Sequence, residues 1–328
     1  MKARLNPDLT VYFRGEYVPL AEAQVGILTH ALNYGTGVFE GIRAHWEEDA
    51  NELYVFRAQE HYERWKQNCG ILRIDVGRSA EELCAITVEL MRRNQFRTDL
   101  YVRPLAYKSA ERIGVCPDDE CAFAIVALPF GEYLHSESGI HAGVSSWRRI
   151  EDNAIPVRAK ICGAYANSAL ASDDARRAGF DEAIILNEQG QVTEGATCNL
   201  FMVRKGVLIT PPVSENVLEG ITRSTIIELA QKELAMRVEE RPVDRSELYI
   251  ADELFLSGTA VGLAPVVGVD HRRVKDGAIG AWTRLMQTLY SDIVHGRLAE
   301  YWKWVLPVYG TLQRPAAEAL RLEHTSVA

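Results

Sequence analysis

Residues 155–201 read IPVRAKICGAYANSALASDDARRAGFDEAIILNEQGQVTEGATCNLF. At the front, one lysine, Lys160, stands among Ala159, Ile161, Cys162, Gly163 and Ala164. That small, apolar setting predicts a buried strand end. AYANSALASDDARRAG predicts a helix, with Arg176 and Arg177 in its last turn and Gly179 as its stop. DEAIILNEQGQVTEGATCNLFMVRKGVLITPP predicts a meander of strands, turning at Glu188–Gly190 and at Lys205–Gly206. One glutamate, Glu194, falls in a Gly-flanked bend of that meander.

The same alternation of types runs outward from this stretch. LTVYFRGEYVPL predicts a strand, a Gly turn and a strand, and NELYVFR another strand. RAQEHYERWKQNCGILRI places Tyr62, Trp65, Cys69 and Leu72 on one helical face. SAEELCAITVELMRRN opens on a capping box, Ser79 with Glu82. DLYVRPLAYKS and CAFAIVALPF predict strands, as does IHAGVSSWRRI. ITRSTIIELAQKEL predicts a helix directly after Gly220, ADELFLSGTAVGLAPVVGVDHRRV a strand–turn–strand, and GAIGAWTRLMQTLYSDIVHGR a closing helix. Pro, Gly and Ser cluster in LPFGEYLHSESG, which predicts an interdomain linker. The fold class is mixed α/β: a small α/β domain over 1–128, a linker at 129–138, and a larger β-rich domain over 139–328. No pattern is evident after about Pro307.

Composition narrows the partners. Thirty-six Lys and Arg against 45 Asp and Glu leave a net charge of −9, which argues against nucleic acid. No apolar run reaches the roughly 20 residues of a membrane helix, and MKARLNPDLTVYF lacks the apolar core of a signal peptide. Six scattered cysteines without a C-x-x-C pair predict reduced thiols and a cytoplasmic location. The eight histidines show no metal-ligand spacing.

A desolvated lysine becomes a nucleophilic amine that condenses with carbonyls. An acidic group such as Glu194 can keep a pyridine nitrogen protonated, so that the ring absorbs the electrons of a carbanion. Read alone, Lys160 is a surface lysine and Glu194 an exposed hairpin carboxylate; together they meet both needs of pyridoxal phosphate chemistry. Gly220, Ile221 and Thr222 at a helix start offer free N–H groups to a phosphate. Ser257, Gly258, Thr259 and Ala260 form a second Gly turn with hydroxyls, and Arg57 offers a charge-assisted contact.

HALNYGTGVFEGIR, VFRAQEHYERW, YVRPL, AKICGAYANS, DEAIIL with EGATCNLF, LEGITR and ADELFLSGTA stand in a specific order and spacing. In that order the chain resembles the class IV, fold-type IV pyridoxal phosphate enzymes, most of all the branched-chain amino acid aminotransferases, over about residues 10–300. The resemblance implies a cofactor in the cleft between two domains and a homodimer or higher homo-oligomer. Lys160 is implied as the Schiff-base lysine and proton carrier, Glu194 as the partner of the pyridine nitrogen, and Tyr165 as the hydroxyl on the phenolic oxygen. Arg57, Ile221, Thr222 and Thr259 are implied as the phosphate cradle, and Thr259 and Ala260 as donors to the substrate α-carboxylate. Tyr34, Phe39, Gly41 and Tyr101 are implied as an apolar wall for Leu, Ile and Val, Arg103 as the holder of the second carboxylate of glutamate, and Tyr133 as a closing residue. Phe130 stands where relatives often carry Trp. The implied substrates are small amino and 2-oxo acids. The alternatives on this fold are transfer from D-amino acids or (R)-amines, an aminodeoxychorismate-type lyase, and a non-enzymatic binding protein.

Overall fold

The fold comes from a computed structural model, and the residues described are residue 6 and residues 8–131 and 138–310. β1 (Thr10–Phe13) and β2 (Glu16–Pro19) form a hairpin whose Gly15 has φ +97°, a conformation that favours glycine. The short helix α1 (His30–Tyr34) leads through Gly35 to β3 (Gly37–Phe39), β4 (Ile42–Glu47) and β5 (Glu52–Phe56). Then come α2 (Ala58–Ile71) and α3 (Ala80–Asn94), followed by β6 (Leu100–Lys108) and β7 (Cys121–Pro129). The capping box at the start of α3 is formed in both directions, Ser79 with Glu82.

β8 (Ile140–Arg148) and α4 (Tyr165–Arg177) open the second half, and Gly179 follows α4 at φ +84°. After them run β9 (Glu182–Leu186), β10 (Val192–Gly195), β11 (Asn199–Arg204) and β12 (Val207–Thr210). Next are α5 (Ile221–Lys232), β13 (Arg237–Glu240), β14 (Glu253–Gly258), β15 (Gly262–Val269) and the two-residue β16 (Arg272–Arg273). α6 (Ala281–Val294) and β17 (Val305–Pro307) complete the set. Among the described residues, no helix is long and apolar enough to cross a membrane.

Two sheets result. The first has the order β17-β5-β4-β6-β7-β1-β2, with β3 beside β6. The second has the order β10-β9-β8-β15-β14-β11-β12-β13, with β16 beside β15. The predicted meander is two hairpins instead: β9–β10 lies at one edge, β11–β12 lies towards the other, and β8, β15 and β14 stand between them. After Pro307 the described residues continue to Gly310 and do show a pattern. β17 pairs with β5, and the backbone N–H groups of Val308, Tyr309 and Gly310 all donate to the Glu52 carboxylate. The last strand, although it falls within the span 139–328 expected for the second domain, thus returns to the first sheet.

α2 and α3 cover the first sheet, and Tyr62, Trp65, Leu83, Leu90 and Met91 form one core with Ile42, Val102 and Ile125. Another core joins the two sheets: Tyr54 and Phe56 of β5 pack with Phe201, Phe255, α5 and α6. Phe201 and Phe255 stack at 5.1 Å between centroids. Burying several large aromatic side chains, each worth about 1.5–3 kcal/mol, fixes one sheet against the other and so fixes the shape of the cleft between them.

Candidate active site

The cleft holds a cavity of about 720 Å³ lined from both sheets. β3 pairs with the segment that carries Lys160, since Phe39 N–H donates to the Lys160 carbonyl at 3.0 Å and Val38 bridges Ile161. This edge pairing holds the lysine extended at the start of the Gly163 turn. That turn is close-packed: a Cβ on Gly35 would lie 2.6 Å from the Gly163 Cα. The Lys160 Nζ donates to the Tyr165 hydroxyl at 3.1 Å and lies 5.8 Å from the Phe39 and Tyr165 ring centres. Tyr165 opens α4, and the edge of Phe39 meets its ring at 4.6 Å.

Glu194 lies on β10, not in an exposed bend. The β9–β10 register slips between Val192 and Glu194, and such a bulge re-aims a side chain. Glu194 is 4% exposed, and its carboxylate accepts from Asn199 Nδ2 at 2.9 Å and Leu218 N–H at 3.2 Å and pairs with Arg149 at 2.6 Å. Burial pushes the carboxyl above its usual range, against the pull of the Arg149 guanidinium and the Leu218 N–H. A carboxylate held this way suits a cationic ring nitrogen.

At the start of α5, the cap residue Gly220 makes no side-chain cap, and Gly220, Ile221 and Thr222 all line the cavity. Uncapped first-turn N–H groups and the helix dipole favour an anion there. Gly220 has no room for a side chain, since a Cβ would meet Asn199 Oδ1 at 2.1 Å. Opposite, Ser257, Gly258, Thr259 and Ala260 line the wall from the β14–β15 turn, and Ser257 Oγ is buried without a hydrogen-bond partner among the described residues. A lysine, a buried carboxylate, a tyrosine hydroxyl, an uncapped helix start and an orphaned hydroxyl fit pyridoxal phosphate.

The mouth is formed by β6. Arg103 Nη2 donates to the Tyr101 hydroxyl at 3.0 Å, and the guanidinium sits 4.2 Å from the Phe39 ring centre. Gly41 makes room for that tyrosine; a Cβ there would stand 2.2 Å from the Tyr101 hydroxyl. Phe130 packs on Tyr101 at 5.1 Å.

Not every expected residue reaches the cavity. Arg57 is the N-cap residue of α2 with φ +47°, donates to Glu60 and to Thr225 near the start of α5, and lies over Trp304; it is not among the residues that line the cavity. Tyr34 also lies away from it, accepting from Gly114 N–H at 3.0 Å on an outer face. Tyr133 lies outside the described residues. Conversely, Arg149 and Asn199, which hold Glu194, and the buried Glu40 have no separate signal in the sequence. Glu40 takes a two-bond clasp from Arg64 at 2.7 and 2.8 Å, and Arg64 also donates to the Glu219 carbonyl beside α5. Burial pushes Glu40 up, but Arg64 and His61 outweigh it and hold the carboxyl well below the usual range.

The family model described as Amino-transferase class IV matches residues 37–269. A probable branched-chain-amino-acid aminotransferase of Aquifex aeolicus is 48% identical over 299 residues, covering 91% of this chain and 96% of that protein. The crystal structure of a branched-chain aminotransferase from Thermoproteus uzoniensis with norvaline superposes with a TM-score of 0.88 at 44% identity, over 92% of this chain and 99% of its own. A branched-chain amino acid aminotransferase from Thermobaculum terrenum, in its PLP-bound holo form, superposes with a TM-score of 0.89 at 38% identity, over 94% of this chain and 100% of its own.

Proposed function

The chain belongs to the class IV aminotransferases, which use pyridoxal phosphate, and on that premise we propose that it passes the amino group of L-leucine, L-isoleucine or L-valine to 2-oxoglutarate. The products are the branched-chain 2-oxo acids and L-glutamate. The observation that carries this reading is the convergence of Lys160, Glu194 and Arg103 on one cavity with apolar walls.

Pyridoxal phosphate, when bound, supplies the electron sink for the substrate carbanion. The protein supplies the rest. Lys160 Nζ, beside the Tyr165 hydroxyl, binds the cofactor and carries the proton taken from the substrate Cα. Glu194 holds positive charge at the ring nitrogen. The start of α5 and the Ser257–Thr259 turn hold the phosphate. Phe39, Tyr101 and the space kept by Gly41 receive an aliphatic side chain.

Glutamate must use that same space, and its second carboxylate needs a cation. Arg103 stands at the mouth with its guanidinium braced by Phe39 and Tyr101. A charge-assisted contact is worth about 1.5–3 kcal/mol, or roughly ten- to hundredfold; the exposed position of Arg103 favours the lower end. Arg103→Leu is expected to slow the glutamate and 2-oxoglutarate half-reactions by about that factor and the leucine half-reaction much less. Single-turnover kinetics of each half-reaction separate the two; equal losses would make Arg103 structural. The substrate class itself is tested with a panel of L-amino acids, D-amino acids and (R)-amines against 2-oxoglutarate. Faster turnover of D-amino acids or (R)-amines overturns the reading.

The working form is proposed as a homodimer. Ile27, Leu32, Ile113 and Val115 are 59–78% exposed on two segments clamped together by Thr29 with Glu111 and by His30 N–H on the Ala110 carbonyl. Tyr34 joins them through Gly114. Exposed apolar side chains gathered on two adjoining segments suit a protein interface, and a second copy is the occupant expected. Ile27→Asp with Val115→Asp should shift the mass measured by light scattering from dimer to monomer; an unchanged mass would place the interface elsewhere. The chain is further proposed to divide into two domains at a linker over 129–138, of which 132–137 lie outside the described residues, with β17 returning to the first domain. The six free thiols support a cytoplasmic location.

A further inference from the structure

Away from the cavity, where β4, the entry to β6 and the end of α6 meet, lie His45, Asp99 and His295. One ligand atom from each is within 4.8 Å of the others. The two imidazole rings are 5.3 Å apart between centroids and inclined at 61°. His295 Nδ1 contacts the Ser291 carbonyl at 2.7 Å and must donate to it, so in the neutral imidazole Nε2 is the nitrogen that offers a lone pair. A metal-binding histidine is commonly oriented in this way, its other ring N–H donated to a backbone carbonyl. His45 Nε2 is buried without a hydrogen-bond partner among the described residues, while its Nδ1 lies 3.5 Å from Asp99 Oδ2. A buried polar nitrogen left unsatisfied is rare in a native protein and asks for a ligand.

We propose that His45, Asp99 and His295 form a site for a divalent transition-metal ion. Two imidazoles and a carboxylate suit zinc, cobalt or nickel better than magnesium or calcium, which take oxygen ligands. A tetrahedral ion bonded at about 2.0–2.2 Å needs ligand atoms about 3.3 Å apart, so the groups close by at most about 1.5 Å. The frame is firm. His45 lies on β4 between β5 and β6. The end of α6 is fixed by Gly296 (φ +71°) against the Tyr54 ring and by Arg297 on Glu47 at 2.8 Å.

One group opposes the ion. Arg43 shares Asp99 Oδ2 at 3.2 Å and brings positive charge. It has other acceptors in reach, however: Nη1 lies 3.4 Å from the Gly131 carbonyl and 3.5 Å from the Ala260 carbonyl, and the guanidinium lies 5.1 Å from the Phe130 ring centre. Ala260 and Phe130 line the cavity. An ion that takes Asp99 therefore releases Arg43 towards the cavity rim, and occupancy of the metal site is read as a change in the KM for the amino acid.

The test uses full-length, tag-free holoenzyme, stripped of metal with a chelator and titrated with Co²⁺ and Zn²⁺. The expected result is one Co²⁺ per chain with d–d absorption of nitrogen and oxygen ligation, and a shift in KM when Zn²⁺ is added. His295→Gln, at the partly exposed end of α6, and His45→Gln should each weaken binding at least about tenfold and remove the KM shift. Thermal melts without metal check that each variant is folded. Absence of one-to-one binding, or binding unchanged in both folded variants, overturns the site. Tight binding with no shift in KM overturns the link through Arg43.

Discussion

Lys160→Ala should leave almost no turnover. Proton transfer by a positioned group is worth about 10²–10⁴-fold, and the same amine also anchors the cofactor, so one substitution removes both contributions. Among the described residues, Lys160 is the one lysine that lines the cavity. Lys205 sits in an exposed turn with φ +51°, and Lys232 pairs with Glu228 on the outer face of α5. Lys66 and Lys108 are engaged with backbone carbonyls elsewhere. Borohydride reduction of the yellow holoenzyme should therefore fix the cofactor on the peptide containing Lys160. A label on the peptides of Lys205 or Lys232, or substantial turnover in Lys160→Ala, would remove the assignment. The variant should keep its fold, because Ala159 and Ile161 supply the apolar packing beside position 160 and the strand pairing runs through the backbone.

The residues that can be read from sequence are those whose job is local. The capping box at Ser79, the stop at Gly179, the α5 start at Gly220 and the turn at Ser257–Ala260 depend on neighbours within a few positions. Their chemistry shows in the letters. Lys160 and Glu194 are legible for another reason: Lys160 stands before a run of small and apolar residues, Glu194 reads as a lone charge in a Gly-flanked bend, and a resemblance joins them. What the letters hide is set by distant partners. Arg149 is one of two adjacent arginines in SSWRRI, and only the fold turns it onto Glu194. Glu40 and Arg64 find each other across β3 and α2. Sheet order is hidden for the same reason. β10 and β11 follow one another in the chain, yet the turn at Gly195–Cys198 sends β11 to the far side of β14 and β15. The resemblance implies Tyr34 as a pocket wall, but at the end of α1 its hydroxyl accepts from Gly114 N–H and its side chain does not line the cavity of this chain.

Glu194→Gln should cut turnover by about 10²–10³-fold, the loss typical when one preorganised polar group is removed from a reacting centre, with the cofactor still bound. Glutamine keeps the length and an oxygen for Asn199 and Leu218, so the shape of the wall survives. The phosphate cradle at α5 and Ser257–Thr259 is untouched, and absorbance should still report one cofactor per chain. What disappears is the negative charge. That charge also serves Arg149, whose side chain is 14% exposed and which also donates to the Asn216 carbonyl. Leaving a buried cation unpaired costs about 3–5 kcal/mol, so the single variant should also melt at lower temperature, and a loosened site would by itself slow turnover. A double variant separates the two effects. Adding Arg149→Met removes the stranded cation while restoring nothing at the ring nitrogen. The melting temperature should recover and turnover should not. Recovery of both would make Glu194 a structural counter-ion of Arg149, and near-normal turnover in the single variant would show that the ring nitrogen takes its charge from elsewhere.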